Sequence, residues 1–429
     1  MCSLQPKPRI LWFVNAGFSN RDLAAQRRGS GKGWLAALAN ELVADFDLTI
    51  TFVDPHAPRE DGGRISTRPL RPAYWRLKLA AGLLINLPHK DGDLLDRMKQ
   101  IISEVKPDII HIHGTEKQYI RIHAFARAQG IPLLLSLQGI VSAIARQYTA
   151  YLSESELRHT RISGGGARRL LPQSAWPFLK AHRKQARLEA SILPHIEFFE
   201  GRTRWDRQIA RLFNPNCTYF EVNRVLKAPF YEAVWAGAEA SAGLTIHTTT
   251  GSGPYKGFEV IAEACALLQT RLGDVTWRVA GLSSRDWIVR TVKRKMGRRY
   301  PGGAIDLIGR QDAAGLIKSM QTSHLCVMAS HIENSHNNLA EAMMIGMPCV
   351  ATLAGGTGTY IRDGEDGLLV QPGDPLGLAA AIADLYRQPE TAKGLGRAAR
   401  ASALQRHNPD AIVAAVSAAY RNLLQKRKR

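Results

Sequence analysis

Two glutamates, Glu333 and Glu341, stand eight residues apart in Ser330-His331-Ile332-Glu333-Asn334-Ser335-His336-Asn337-Asn338-Leu339-Ala340-Glu341-Ala342-Met343. The apolar run 325–330 before them reads as a strand. Leu339, Ala342 and Met343 recur at helical spacing, and Gly346-Met347-Pro348 ends that helix before a second strand at 349–352. A loop-to-helix junction presents free backbone N–H groups and the positive end of a helix dipole, which together seat a phosphate. Glu333 lies in the loop and Glu341 about a turn into the helix. One carboxylate can then accept hydroxyl hydrogen bonds at one end of a bound diphosphate and the second at the other. That arrangement suits a nucleotide-sugar, whose hexose and ribose hydroxyls flank a pyrophosphate.

The elements around this pair extend the pattern. Ala354-Gly355-Gly356-Thr357-Gly358-Thr359 follows the next strand, where backbone can approach phosphate with no Cβ in the way. Lys256-Gly257 follows Thr248-Thr249-Thr250-Gly251-Ser252-Gly253-Pro254-Tyr255 and opens a helix. A lysine there opposes the helix dipole unless an anion sits between them.

The segment from Ser330 through Asp374-Pro375 resembles the donor-binding signature of retaining glycosyltransferases of the GT-B type, family 4. It has the Glu, seven residues, Glu-Ala-Met, a Gly-x-Pro strand, a Gly-Gly loop and a Gly-Leu-Leu-Val…Gly-Asp ending. The resemblance implies that Lys256 binds the donor's diphosphate, together with N–H groups at Asn337, Asn338, Leu339, Gly355 and Gly356. It further implies that Glu333 holds the transferred sugar and Glu341 the ribose. The family's arginine five residues before the lysine is absent, since Gly251 stands there, and Arg202 is the candidate to replace it. Neither metal nor cofactor is expected.

Motifs of the first half fit the same reading. His111 and His113 alternate at a strand end, where side chains point to a ligand crevice, and His113-Gly114 matches a family position. No third ligand of suitable spacing makes the histidines a zinc pair. Gln138, in Ser136-Leu137-Gln138-Gly139, stands where many family members carry histidine. It cannot take a proton but can hydrogen-bond a hydroxyl. His113 and Gln138 are therefore placed with Glu333 and Lys256 as reacting-centre candidates. Gly31-Lys32-Gly33 lacks the Ser or Thr of a P-loop and suits the family's first glycine loop, with Gly31 near the donor. Gly201-Arg202-Thr203-Arg204-Trp205-Asp206 reads as a capping box, and also resembles an element of polysaccharide-assembly glycosyltransferases. Asp91-Gly92-Asp93 is read as a helix start with Asp93 as N-cap, not as a metal motif.

At 429 residues the chain can hold two or three cores. Alternating strand and helix patterns predict an α/β GT-B fold: two Rossmann-like domains facing across a cleft, with a C-terminal helix crossing back to the first. The expected divisions are 1–238 for the acceptor, 239–405 for the donor, and 406–429 for the final helix and tail. Residues 153–184 read as a loop-rich insertion. Five scattered cysteines read as reduced, buried thiols, and neither a signal peptide nor a membrane-spanning stretch is visible.

The net charge of +20 calls for an anionic partner. Basic residues cluster near 64–78, 168–187, 290–299 and at the C-terminus, the first two groups interleaved with aromatic and Leu residues. Such surfaces are either solvated helix faces or places that lie on anionic lipid. The combined expectation is an enzyme that moves a sugar with retention from a nucleotide-sugar to a saccharide acceptor, lipid-diphosphate-linked, in surface polysaccharide or glycolipid assembly. It would work in the cytoplasm, peripherally on the membrane face. The competing readings are a nucleic-acid-binding protein, for which no motif accompanies the charge, and an inactive GT-B scaffold.

Overall fold

Parallel strands covered by helices on both faces must be apolar throughout, and the short apolar runs of this chain meet that demand. The computed structural model describes residues 6–20, 33–54, 57–71, 91–162, 173–237 and 243–427. The first domain's strands are β1 (Arg9–Phe13), β2 (Asp47–Val53), β3 (Ser66–Leu70), β4 (Ile109–His113), β5 (Leu133–Ser136), β6 (Phe198–Gly201) and β7 (Thr218–Glu221). They form one sheet in the order 3-2-1-4-5-6-7, parallel throughout. The second domain holds β8 (Leu244–Thr249), β9 (Val275–Ala280), β10 (Ile305–Gly309), β11 (Leu325–Met328), β12 (Cys349–Thr352) and β13 (Leu368–Val370). These are again all parallel, in the order 10-9-8-11-12-13. Each order reverses direction beside its central strand. A crevice opens there at the strands' carboxyl ends.

The chain passes from one core to the other at residues 225–226. Val222 and Val225 pack in the first domain's core, whereas Leu226 and Phe230 pack with Met320, Met343 and Ala399 of the second. The return crossing lies beside it. His407 Nδ1 meets the Arg224 carbonyl at 2.8 Å, and Tyr231 Oη donates to the His407 carbonyl at 2.7 Å. The final helix, Pro409–Arg427, then buries Ile412, Val416, Tyr420 and Leu423 in the first domain's core. Tyr420 Oη receives the Trp12 indole N–H at 2.7 Å, which fixes the crossing helix to β1.

The described parts of the region read as a loop-rich insertion are largely helical. Ser153 and Glu156 form a reciprocal capping box that starts the helix Glu154–His159, and Pro177 near its start suits the helix Trp176–Ile192. Leu157 and Leu179 from this region, with Tyr148 and Leu152 just before it, join the second domain's core, so the segment bridges the two units. Lys295 reinforces it, reaching Glu156 and the Tyr151 carbonyl, each at 3.0 Å. Asp93 falls inside the helix Asp91–Val105 and pairs with Arg97 at 3.0 Å, so it is not the N-cap. Cys265, Cys326 and Cys349 are buried free thiols, and Cys217 is a partly buried one.

Candidate functional site

A cavity of about 780 Å³ lies between the domains and is lined from both. The second domain contributes the ends of β8 and β11, Thr248–Gly251 and Met328–Ser330, with Tyr255, Lys256, Glu333, His336, Asn337 and Asn338. The first contributes Glu116, Gln138, Gly139 and Arg224, and the helix Trp176–Ile192 contributes Ala181, His182, Lys184 and Gln185.

Lys256 ends a short turn whose exit residue, Gly257, has φ of 74°. A side chain at 257 would be strained in that backbone, and its Cβ would run into the Ala329 carbonyl. The glycine thus lets the lysine's turn lie against the end of β11. Lys256 Nζ donates to Glu333 Oε2. Burial alone would push the lysine's pKa down and the glutamate's up, but each is reversed by the other's charge. The pair therefore stays ionised around neutral pH. His336, held neutral mainly by burial with its pKa lowered to about 4, stands 3.9 Å from Glu333.

The helix Asn337–Met344 starts at the cavity wall, and its first amides have no intrahelical acceptor. The Asn338 side chain is tied to the Thr249 carbonyl at 2.9 Å, joining the helix start to the end of β8. The Leu339 side chain is wholly buried, so only its backbone can serve a ligand. Glu341 is 6% exposed and does not line the cavity; its carboxylate lies 4.0 Å from Lys227 Nζ. Burial raises its pKa to about 7. A carboxyl raised from 4.5 costs the fold nothing below pH 4.5, and the penalty is complete above about pH 7. At ~1.4 kcal/mol per unit, that is on the order of 3 kcal/mol. Glu341→Gln should therefore stabilise the unliganded protein at pH 8 by ~1–3 kcal/mol and leave it nearly unchanged at pH 5, measured by urea denaturation.

Gly355 and Gly356 do not line the cavity. The Gly356 amide donates to the Glu333 carbonyl at 2.9 Å, and a Cβ at either glycine would strike the Glu333–Asn334 backbone. The glycine loop thus shapes the turn that carries Glu333, and the Gly356 amide is not free for phosphate. Next to it, Asn334 joins the domains. Its Oδ1 accepts from Thr203 Oγ1 at 2.8 Å, and its Nδ2 reaches the Leu137 carbonyl and Asp206 Oδ2, both at 3.0 Å. Thr203 and Asp206 also form the expected capping box. The 201–206 element is therefore the first domain's dock for the Glu333 loop. Asn334→Ala should loosen that dock by ~1–3 kcal/mol, seen as faster proteolysis at the interdomain segments; an unchanged cleavage rate would refute the dock.

His113 and Arg202 lie behind the cleft wall instead of in the cavity. His113 is fully buried against Trp12, with ring centres 4.6 Å apart, and against His111 at 3.8 Å. Residues two apart on a strand share a face, and here that face is covered. Burial holds the His113 pKa well below its usual value, so the ring is neutral. Arg202 is likewise fully buried, stacked 5.3 Å from the Trp34 ring. Gln138 does face the cavity, with its Nε2 unpartnered. Gly31 lies outside the described residues.

Two cavity residues escaped the sequence reading. Glu116 occupies the space that side chains at Gly114 and Gly139 would take, and accepts from Asn15 Nδ2 at 2.9 Å. Glu116 is solvent-exposed, yet desolvation by the atoms packed around its carboxyl raises its pKa, with a smaller contribution from Glu189. An acid just past a parallel strand's carboxyl end was the available signal. Arg224 gave none, standing alone in an extended segment. Among the described residues, no group of three His, Cys, Asp or Glu side chains is placed to hold a metal ion. No helix among them is long and apolar enough to cross a membrane.

Two parallel α/β sheets facing across this cavity, with the last helix returned to the first, make the fold GT-B. Sucrose-phosphate synthase from Thermosynechococcus elongatus superposes with a TM-score of 0.70 at 17% identity, covering 98% of this chain and 100% of that one. Anabaena HepE in complex with UDP-glucose superposes at 0.65 and 15% identity, covering 96% of this chain and 99% of that one. Residues 245–388, within the second unit, match the family Glycosyl transferases group 1. The putative glycosyltransferase EpsD of Bacillus subtilis is 28% identical over 145 residues, 34% of this chain and 37% of that protein. The N-acetyl-alpha-D-glucosaminyl L-malate synthase of Bacillus anthracis is 31% identical over 121 residues, 28% of this chain and 31% of that protein. The chain thus spans about a third of the length of the curated relatives it matches.

Proposed function

We propose that the protein is a retaining glycosyltransferase that takes a sugar from a nucleotide-sugar. The observation that carries this reading is the Lys256–Glu333 ion pair beside the open start of the Asn337–Met344 helix, in a cavity lined by both domains. A diphosphate entering there takes over Lys256 and the amides of Asn337, Asn338 and Leu339, and the sugar's hydroxyls take over Glu333. Glu341 holds the ribose once its carboxylate turns from Lys227. The relatives' names add support, since they include glycosyltransferases, and HepE is seen with UDP-glucose.

Bond breaking leaves negative charge on the departing diphosphate. Lys256 and the helix amides are fixed where that charge grows, so they lower the barrier without reorganising. Among the described residues, no side chain serves as a nucleophile in this reading. The sugar is instead attacked on the face its leaving group vacates, the departing phosphate takes the acceptor's proton, and the anomeric configuration is kept. Gln138 and Glu116 orient the acceptor hydroxyl from the first domain, Glu116 through its raised-pKa carboxyl.

The acceptor is a lipid-diphosphate-linked saccharide at the cytoplasmic membrane face. At the cavity's rim the Trp176–Ile192 helix exposes Phe178, at 48%, together with Lys180, Lys184 and Arg187. An apolar ring among cations suits an anionic, lipid-bearing partner. A thermal-shift screen across UDP-, GDP- and ADP-sugars tests the donor assignment. A rise in Tm with one base is expected, and no shift with any of them would sink it.

A further inference from the structure

Two guanidinium groups stand at the cavity's first-domain wall, Arg224 lining it and Arg202 behind it, with Glu333 and Glu116 acting on Arg224 only from beyond contact. Arg224 is 6% exposed and Arg202 fully buried, and both stack on Trp34, with centres at 4.9 and 5.3 Å. No acid among the described residues is within ion-pair distance of either. Arg202 Nε and Nη2 and Arg224 Nε have no hydrogen-bond partner among the described residues. The nearby rings cannot supply the missing negative charge, since His111 and His113 are both neutral. Glu200, fully buried, is pushed up to about 7, mainly by desolvation, and so is only partly ionised near neutrality. Burying two unpaired arginines is costly, and chains keep such a pair where an anion completes it.

Arg224 alone of the two opens on the cavity. Its Nη1 donates to Asn337 Oδ1, which places the guanidinium at the start of the helix whose amides face the ligand. On the second domain's own wall, the position beside Lys256 at the end of β8 is Gly251, with open space around it. Lys256 is already ion-paired with Glu333. A diphosphate, carrying two to three negative charges, is therefore undersupplied by the second domain.

We propose that Arg224 crosses from the first domain to bind the terminal phosphate of the nucleotide-sugar, as the second cation of the clamp, with Trp34 and Arg202 fixing its guanidinium. The proposal rests on the nucleotide-sugar reading above. The terminal phosphate is the one within reach, because the nucleoside end lies in the second domain, and the sugar end faces the first. Arg224 also sits on the interdomain crossing, its carbonyl bonded to His407 of the return strand of chain. Phosphate held by Arg224 and Lys256 thus ties the two domains together through the ligand.

Isothermal titration of the full chain with UDP, GDP and ADP and their monophosphates tests this. In Arg224→Gln the preferred nucleoside diphosphate should bind ~10–100-fold more weakly, while its monophosphate changes less than ~3-fold. Arg224→Lys should keep the diphosphate within ~5-fold of wild type, and it remains readable if the glutamine variant fails to fold. Asn337→Ala, which removes the arginine's protein partner, should leave the preference for diphosphate intact. Equal weakening of diphosphate and monophosphate would overturn the proposal. So would unchanged diphosphate binding with a raised KM for the acceptor, which would make Arg224 an acceptor-anion site. A wild-type protein that binds no nucleoside diphosphate would instead overturn the underlying donor assignment.

Discussion

Lys256→Ala should lower kcat/KM by ~10²–10³, or about 2.7–4 kcal/mol of transition-state stabilisation, with little change in acceptor KM. Among the second-domain residues that line the cavity, Lys256 is the one cation, and it is fixed at the mouth of the helix amides. Its partner Glu333 keeps it oriented in the empty site, so the charge need not be gathered when donor binds. The loss should fall mainly on kcat, because the diphosphate bears more charge as it departs than when it arrives. Initial-rate kinetics with the donor found by thermal shift reads this directly. A change below ~5-fold would remove Lys256 from the reacting centre.

Gly257→Ala is expected to be nearly as damaging although it leaves every charge in place. The residue is left-handed, and a Cβ there meets the Ala329 carbonyl, so the backbone has to move. Strain and clash together should cost ~2–4 kcal/mol of stability. The shift carries Lys256 with it, and a displacement of about 1 Å costs roughly 100-fold in rate. Denaturation and kinetics should therefore change together. A variant with normal stability and normal kcat would show that the turn does not position the lysine.

These two residues sit where the sequence was most readable. The segment around Glu333, Asn337 and Gly346 announces a strand, a loop and a helix through apolar run, periodicity and terminator, and the structure places all three there. The central strands were equally plain because both their faces are buried. Edge strands were not. Ser66–Leu70 and Thr218–Glu221 mix polar and apolar residues, being only partly covered, and so give no run to detect. The helix Pro389–Arg406 escaped for another reason. Its packed face is largely small, Ala392, Ala399 and Ala403 beside Leu395, so the apolar period is faint.

Within the site, local pattern identified residues whose partners are close in sequence, and missed those defined by the meeting of domains. Lys256 and Glu333 are 77 positions apart yet belong to one crevice at the ends of neighbouring strands, a relation that the alternation of strand and helix already implies. His113 sits at an equivalent strand end, but Trp12 packs against it and it does not line the cavity. Asn334 gives no local signal, because its partners Leu137, Thr203 and Asp206 all lie in the first domain. The glycines at 355 and 356 were read as a place where backbone approaches phosphate. What comes close is the Glu333–Asn334 turn.

A crystal structure of the full chain with the nucleotide-sugar selected by thermal shift measures the central claim most directly. The diphosphate should lie between Lys256 Nζ and the amides of Asn337–Leu339, with a sugar hydroxyl donating to Glu333 and the ribose near Glu341. A donor bound elsewhere, or one whose diphosphate leaves the Lys256–Glu333 pair untouched, would contradict the account.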